Sequence, residues 1–273
     1  MPELPEVETT RRGIEPHVLG RHVSRMTVRE PQLRWPVPSE LPAQVQDQRI
    51  MALRRRSKYL LFELERGVLI VHLGMSGSVR VLLDGAPKPG KHDHIDLILD
   101  SGVRLRYNDP RRFGAWLYTE EPVDEHKLIR HLGPEPLSEA FNAQYLFQKS
   151  RKRKTRIKTF LMDARIVVGI GNIYANESLF LSGVYPHKKT GRLTRRESER
   201  LAAAIKQVLA RAINAGGTTL RDFVGGDGAP GYFALSLNVY GRTGLLCHHC
   251  GTPIREVRTV GRGSFFCPVC QPR

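Results

Sequence analysis

Four cysteines stand in two C-x2-C pairs, Cys247/Cys250 and Cys267/Cys270, with 16 residues between the pairs. That is zinc-ribbon spacing: each pair sits on a turn, and the stretch between them folds into a hairpin that gathers the four sulfurs. Chance pairing or a redox dithiol is the plainer alternative, but a redox motif needs no second pair. Four thiolates close a tetrahedral site without His248 or His249. The expected metal is one structural zinc with no open position, and its work is to hold the hairpin tip, Arg258 to Gly263, in a fixed place.

A second chemical feature is the start, Met-Pro-Glu. Removal of Met1 would leave Pro2 as the N-terminus. Its secondary amine has an ordinary pKa of about 7.7–8.0, so a substantial fraction is neutral and nucleophilic near neutrality. A lysine would need a large depression to do the same. Glu3 follows directly and offers a carboxylate for proton transfer. The plainer reading is an ordinary helix start.

Cations cluster in three places. Residues 149–158 carry seven and no acid; the cluster leads into a helical region near Gly169-Ile170-Gly171-Asn172. A Gly-x-Gly turn opening a helix lets backbone N–H groups approach a phosphate. It is not a dinucleotide fingerprint, because Tyr174 occupies the third glycine position. Arg54-Arg55-Arg56-Ser57-Lys58 reads as a strand with four cations in five residues. In Asp109-Pro110-Arg111-Arg112-Phe113-Gly114 arginine neighbours an aromatic in a Pro-initiated turn, a form suited to base stacking. Met75 stands on a Gly-flanked turn, where a core methionine is the plainer reading. Charge runs are commonly just solvated faces.

These residues need elements to position them. The chain has 273 residues and a formal charge of +16, and 40% of it is hydrophobic. This is globular composition with a sizeable core, and its basicity points to a polyanion: nucleic acid first, an anionic membrane surface second. No apolar run is long enough to span a bilayer. The acidic N-terminus lacks an apolar signal core, and cysteines confined to the last segment suggest metal in a reducing compartment, so a cytoplasmic protein is expected.

Residues 5–18 predict a helix with Pro5 in the first turn, Val7, Ile14 and Val18 on one face, and Gly20 as its stop. Residues 22–120 read mainly as strands, with Asp100-Ser101-Gly102 turning a hairpin, and predict an antiparallel sandwich or barrel. Residues 84–91 read as a loop. After about residue 125 the pattern is helical. Thr194 and Glu197 form a capping box ahead of Leu201, Ile205, Val208, Leu209 and Ala212, and Gly216-Gly217 ends that helix. Residues 225–231, rich in glycine, read as a mobile loop. The fold class is α+β: a β domain over 1–125, a helical domain over 126–237 and a metal module over 238–272.

Together these motifs, with Lys58-Tyr59-Leu60 and His72-Leu73-Gly74-Met75-Ser76-Gly77, resemble bacterial formamidopyrimidine-DNA glycosylase over essentially the whole length. The fourth residue, Leu4, favours that branch over endonuclease VIII. The resemblance implies an N-terminal antiparallel β-sandwich with flanking helices, a helix–two-turn–helix domain and a zinc hairpin. It implies a monomeric base-excision repair enzyme that removes oxidised purines, chiefly 8-oxoguanine and formamidopyrimidines, from double-stranded DNA and cuts the abasic site. By resemblance Pro2 attacks C1′ and forms a Schiff base, and Glu3 donates a proton during sugar-ring opening. Lys58 matches the β-elimination donor and Arg262 the δ-elimination donor. DNA contacts carry over to His92, Arg111 and Arg153, and phosphate contacts to Lys58, Asn172 and Arg262. Met75, Arg111 and Phe113 match void-filling residues that enter the space left by a flipped nucleotide. The 225–231 stretch falls where the family has a loop over the extruded base. Arg153 replaces a common lysine. Two other classes compete: a non-catalytic zinc-ribbon nucleic-acid binder, and an oxidised-pyrimidine glycosylase.

Overall fold

The computed structural model describes residues 2–83, 85–217, 237–259 and 261–273. The glycine-rich stretch 225–231 lies outside them. The described chain forms two compact units, one built on residues 2–131 with 215–217, the other on 132–214 with 237–273.

The first unit begins with α1 (Leu4–Val18), which has Glu3 as N-cap and a proline in its first turn. Its apolar face, Val7, Ile14 and Val18, is fully buried, as the spacing predicts. Eight strands follow: β1 (Val23–Val28), β2 (Ile50–Arg56), β3 (Tyr59–Leu64), β4 (Val68–His72), β5 (Ser78–Leu82), β6 (Asp93–Leu99), β7 (Arg104–Asn108) and β8 (Ala115–Thr119). They pair antiparallel in two four-stranded sheets, β1-β6-β7-β5 and β2-β3-β4-β8. Val23, Leu97 and Leu105 of one sheet and Leu60, Phe62 and Val71 of the other share one buried cluster with α1. The β domain is therefore a sandwich, not a barrel. A short helix, α2 (Leu41–Val45), interrupts the strands; its proline-containing sequence gives no helical period to read.

One expectation is corrected here. Residues 54–58 are not one strand: Arg56 pairs with Tyr59, and Ser57-Lys58 form the β2–β3 turn. Ser57 takes the left-handed conformation there, at φ 58°. Glycine or asparagine is the usual marker of such a turn, and none is present.

The second unit holds α3 (Ala143–Ser150), α4 (Ile157–Leu161), α5 (Asn172–Leu181) and α6 (Arg195–Asn214), followed by the hairpin β9 (Arg255–Thr259) and β10 (Arg262–Phe266). The capping box of α6 is formed: Glu197 N–H donates to Thr194 Oγ1 at 3.1 Å, and Thr194 N–H to Glu197 Oε2 at 2.9 Å. Leu201, Ile205, Leu209 and Ala212 of α6 are fully buried. No helix among the described residues is long and apolar enough to cross a membrane.

Candidate functional site

In the first unit Pro2 and Glu3 lie buried at the head of α1. Glu6 accepts the Glu3 N–H at 2.8 Å, and the Glu3 carboxylate accepts the Glu6 N–H in return. This reciprocal box satisfies two of the helix's orphan donors and locks the residue after Pro2 in extended conformation. Glu3 is therefore a structural cap and a candidate proton donor at once. The backbone of Gly217 passes close to the Glu6 side chain.

Lys58 stands on the β2–β3 turn, half-buried. Its neighbours in the basic cluster are largely neutralised within the unit: Arg54 pairs with Glu63, and Arg55 with Glu8 at 3.1 Å. Behind Lys58, the His72 imidazole is pushed down to about 4 by loss of hydration, then by the Lys58 and Arg34 cations. It stays neutral near pH 7, and its Nδ1 accepts the Gly74 N–H at 3.0 Å.

The turns carrying Met75 and Arg111–Phe113 are joined through Asp109, whose side chain is fully buried. Its carboxylate accepts from Ser76 Oγ at 2.8 Å, Tyr107 Oη at 2.8 Å, Gly114 N–H at 3.0 Å and Arg111 N–H at 3.3 Å. Its own N–H donates to the His92 carbonyl at 3.0 Å, and its carbonyl lies 2.8 Å from His94 Nε2. Burial first, and then Asp109, push the Tyr107 hydroxyl far above its ordinary range, so it remains a donor. Two glycines permit the approach. A Cβ on Gly74 would stand 2.5 Å from the Phe113 carbonyl carbon, and one on Gly114 would stand 1.8 Å from Tyr107 Oη. The exposed Arg111 guanidinium lies 4.8 Å from the Phe113 ring centre. The Asp109 carboxylate thus joins the turn of Ser76, next to Met75, to the turn of Arg111 and Gly114 on either side of Phe113, while its backbone N–H holds the His92 carbonyl. Sequence reasoning singled out Arg111 and Phe113 and passed over the aspartate two positions earlier, because nothing local distinguishes a turn-starting Asp from a buried one.

In the second unit the basic run is not a loose linker. Gly191 N–H donates to the Arg153 carbonyl and Thr190 N–H to the Thr155 carbonyl, each at 2.9 Å, which clamps its backbone. Two of its cations serve the fold. Arg151 stacks on Phe147 at 4.1 Å and donates to the Leu193 carbonyl; Lys158 is buried and donates to the Gly263 carbonyl and Ser264 Oγ. Lys152, Arg153, Lys154 and Arg156 are exposed. Asn172 opens α5 behind Gly171, half-buried, as the Gly-x-Gly turn predicts.

The four cysteine sulfurs lie within 4.8 Å of one another. The separations Cys247–Cys270, Cys250–Cys267 and Cys250–Cys270 are 3.9, 3.4 and 3.6 Å. A tetrahedral S4 site with metal–sulfur bonds of about 2.3 Å has edges of about 3.8 Å, so the set fits a metal ion. The hairpin is also tied to the helices. Phe265 N–H donates to Asn176 Oδ1 at 2.9 Å, and Gln271 Nε2 donates to the Val184 carbonyl at 2.9 Å. Glu177, buried, accepts the N–H groups of Asn238, Val239 and Tyr240 at 2.8–2.9 Å and fixes the entry to the hairpin. Arg262 is exposed at the start of β10. Sequence reasoning missed Glu177, Asn176 and the anchoring role of Lys158.

A capped N-terminal helix on a β-sandwich, with two adjacent side-chain-bearing turns, a helix pair opened by Gly-x-Gly and a four-cysteine hairpin, defines the class of helix–two-turn–helix DNA glycosylases. Three family models match in turn: the formamidopyrimidine-DNA glycosylase N-terminal domain over residues 1–116, its H2TH domain over 132–224, and the zinc finger found in FPG and IleRS over 244–273. The chain belongs to the formamidopyrimidine-DNA glycosylase family. It is 56% identical to the formamidopyrimidine-DNA glycosylase of Thioalkalivibrio sulfidiphilus, over 99% of this chain and 100% of that one. A Lactococcus lactis FPG mutant, solved in complex with Fapy-dG-containing DNA, is 36% identical with TM-score 0.91 and full coverage of both chains. The Lactococcus lactis Fpg in complex with abasic-site DNA is 36% identical with TM-score 0.90, covering 99% of this chain and 100% of that one.

Proposed function

We infer that the chain is a base-excision repair enzyme that removes oxidised purines from duplex DNA and then cleaves the abasic site. The observation that carries this reading is the match along the whole chain to enzymes solved on Fapy-dG and abasic-site DNA, joined to the capped Pro2-Glu3 head of α1. With Met1 removed, the Pro2 nitrogen attacks C1′ of the damaged nucleotide. The bond from C1′ to the base breaks, the base leaves with a proton, and Glu3 protonates the opening sugar to give the iminium. β-Elimination then loses the C2′ proton to solvent, forms the C2′=C3′ bond and breaks the bond from C3′ to its phosphate oxygen, with Lys58 as proton donor to the leaving phosphate. δ-Elimination loses the C4′ proton and breaks the bond from C5′ to its phosphate oxygen, with Arg262 as donor to the leaving phosphate. The reaction requires the nucleotide to leave the base stack, at a cost of a few kcal/mol. Met75, Arg111 and Phe113 fill the vacated space, with His92, Arg153 and Asn172 on the DNA. Cys247, Cys250, Cys267 and Cys270 hold one structural zinc, which supplies rigidity to the hairpin and no chemistry. Residues 1–125 form the catalytic part, 126–237 the helix–two-turn–helix part with the lesion loop, and 238–272 the zinc finger.

Borohydride trapping tests this reading. The enzyme should be captured covalently on 8-oxoguanine and abasic duplexes. DNA binding without capture would leave only a zinc-ribbon binder, and capture that persists when residues are added before Pro2 would exclude its amine. Preference for 8-oxoguanine opposite cytosine over thymine glycol separates it from an oxidised-pyrimidine glycosylase.

A further inference from the structure

We propose that the helical unit carries a phosphate pocket beside the tip-proximal end of the cysteine hairpin, with Arg156, His187 and Arg262 as the groups that hold the anion. A cavity of about 310 Å³ opens there, lined by Arg156, Lys158, Met162, His187, Arg262 and Ser264 among others. Its walls come from α4 with its N-cap, the segment ahead of the turn at Thr190–Arg192, and β10. Among the described residues, no carboxylate lines it. Lys158 is held by the Gly263 carbonyl and Ser264 Oγ, so its charge is fixed in place.

His187 Nε2 is the group that points to a ligand. It is buried and has no hydrogen-bond partner among the described residues. An unpaired buried polar atom costs about 1–3 kcal/mol, which a ligand acceptor or donor would recover. Loss of hydration first, then Arg156, Lys158 and Arg273, depress the proton affinity of the ring. Tyr185 packs against it at 5.6 Å and brings no charge. Burial and these cations together favour the neutral ring. An anion set among these cations reverses the balance: the imidazole takes up a proton and Nε2–H donates to the anion. Tetrahedral oxygens suit a cavity lined by two forked guanidinium groups and an imidazole. The cavity exceeds a lone phosphate, and Met162 offers an apolar wall for the sugar that a backbone phosphate carries. The same chemistry would take free inorganic phosphate. The choice of DNA as the source rests on the function proposed above.

The test uses the full metal-loaded chain, with Arg156→Ala and His187→Gln as variants. Duplex affinity is measured against salt near pH 6 and near pH 8, and the His187 ring resonance is followed during titration with inorganic phosphate alone. If a DNA phosphate fills the pocket, Arg156→Ala weakens duplex binding and lowers the log–log salt slope by at most about 0.9, because Arg262 still faces the same phosphate. The parent also tightens on acidification up to about tenfold more than His187→Gln, the equivalent of one pKa unit. If the source is free phosphate, the His187 resonance moves in the parent and not in Arg156→Ala, while duplex affinity stays the same in both. Unchanged salt slope and pH profile, together with a His187 resonance indifferent to phosphate, would overturn the proposal. Borohydride trapping of the parent runs alongside: its absence would sink the enzymatic reading without touching the phosphate titration.

Discussion

Glu3 joins a structural duty to a proposed catalytic one. Its carboxylate accepts the Glu6 N–H and so closes the first turn of α1, while its position after Pro2 suits it to protonate the opening sugar. The two duties separate in Glu3→Gln, because an amide oxygen still accepts a hydrogen bond but the amide cannot donate a catalytic proton. We expect excision of 8-oxoguanine to fall about 10²–10⁴-fold. Stability should change by no more than about 1 kcal/mol. Single-turnover kinetics and thermal melting on the same sample check this; a loss of activity that merely follows unfolding would remove Glu3 from the chemistry.

At the scale of elements, two short turns act as one because Asp109 sits beneath both. In Asp109→Asn the amide nitrogen meets a donor, Gly114 N–H or Tyr107 Oη, where the carboxylate accepted. Leaving one buried donor unmet costs about 1–3 kcal/mol. That is enough to let the turns part. We expect at least tenfold slower excision from fully paired DNA and near-normal excision when the lesion already lies unstacked in a bulge, where less unstacking work remains. Equal loss on both substrates would count against Asp109 as a positioning residue. The hairpin offers a second element-scale test. Stripping its metal with a chelator should abolish duplex binding, since the sulfurs alone repel and the tip carrying Arg262 loses its frame. Duplex affinity that survives verified metal loss would show that Asn176, Lys158 and Gln271 suffice to hold the hairpin.

For the whole molecule the number that matters is not +16 but what remains after internal pairing. Arg54 and Arg55 are spent on Glu63 and Glu8, and the buried Asp96 engages Arg29, Arg104 and Arg106. Arg151 and Lys158 are tied into the helical unit. The exposed remainder includes Lys152, Arg153, Lys154, Arg111 and Arg262. With Lys58, Arg111, Arg153 and Arg262 each on one phosphate, log affinity should fall against log salt with a slope of about −3 to −4. Arg153→Ala should reduce it by about 0.9. A flat salt response would contradict backbone contact altogether.

What the sequence by itself determined is local. Cysteine spacing set the hairpin, Thr194 and Glu197 the start of α6, and alternating apolar residues the strands, because each depends on neighbours a few positions away. Four cations in five residues looked like a DNA face, yet tertiary pairing consumed two of them, and the last of the four, Lys58, fell on a turn with no glycine to announce it. Only the folded units decided that Ser76 would meet Asp109 across 33 positions, Glu177 the segment 61 positions on, and Lys158 the hairpin 105 positions away. Those partners are chosen by which strands and helices pack together, and a side chain's donors and acceptors carry no period that a linear reading could detect.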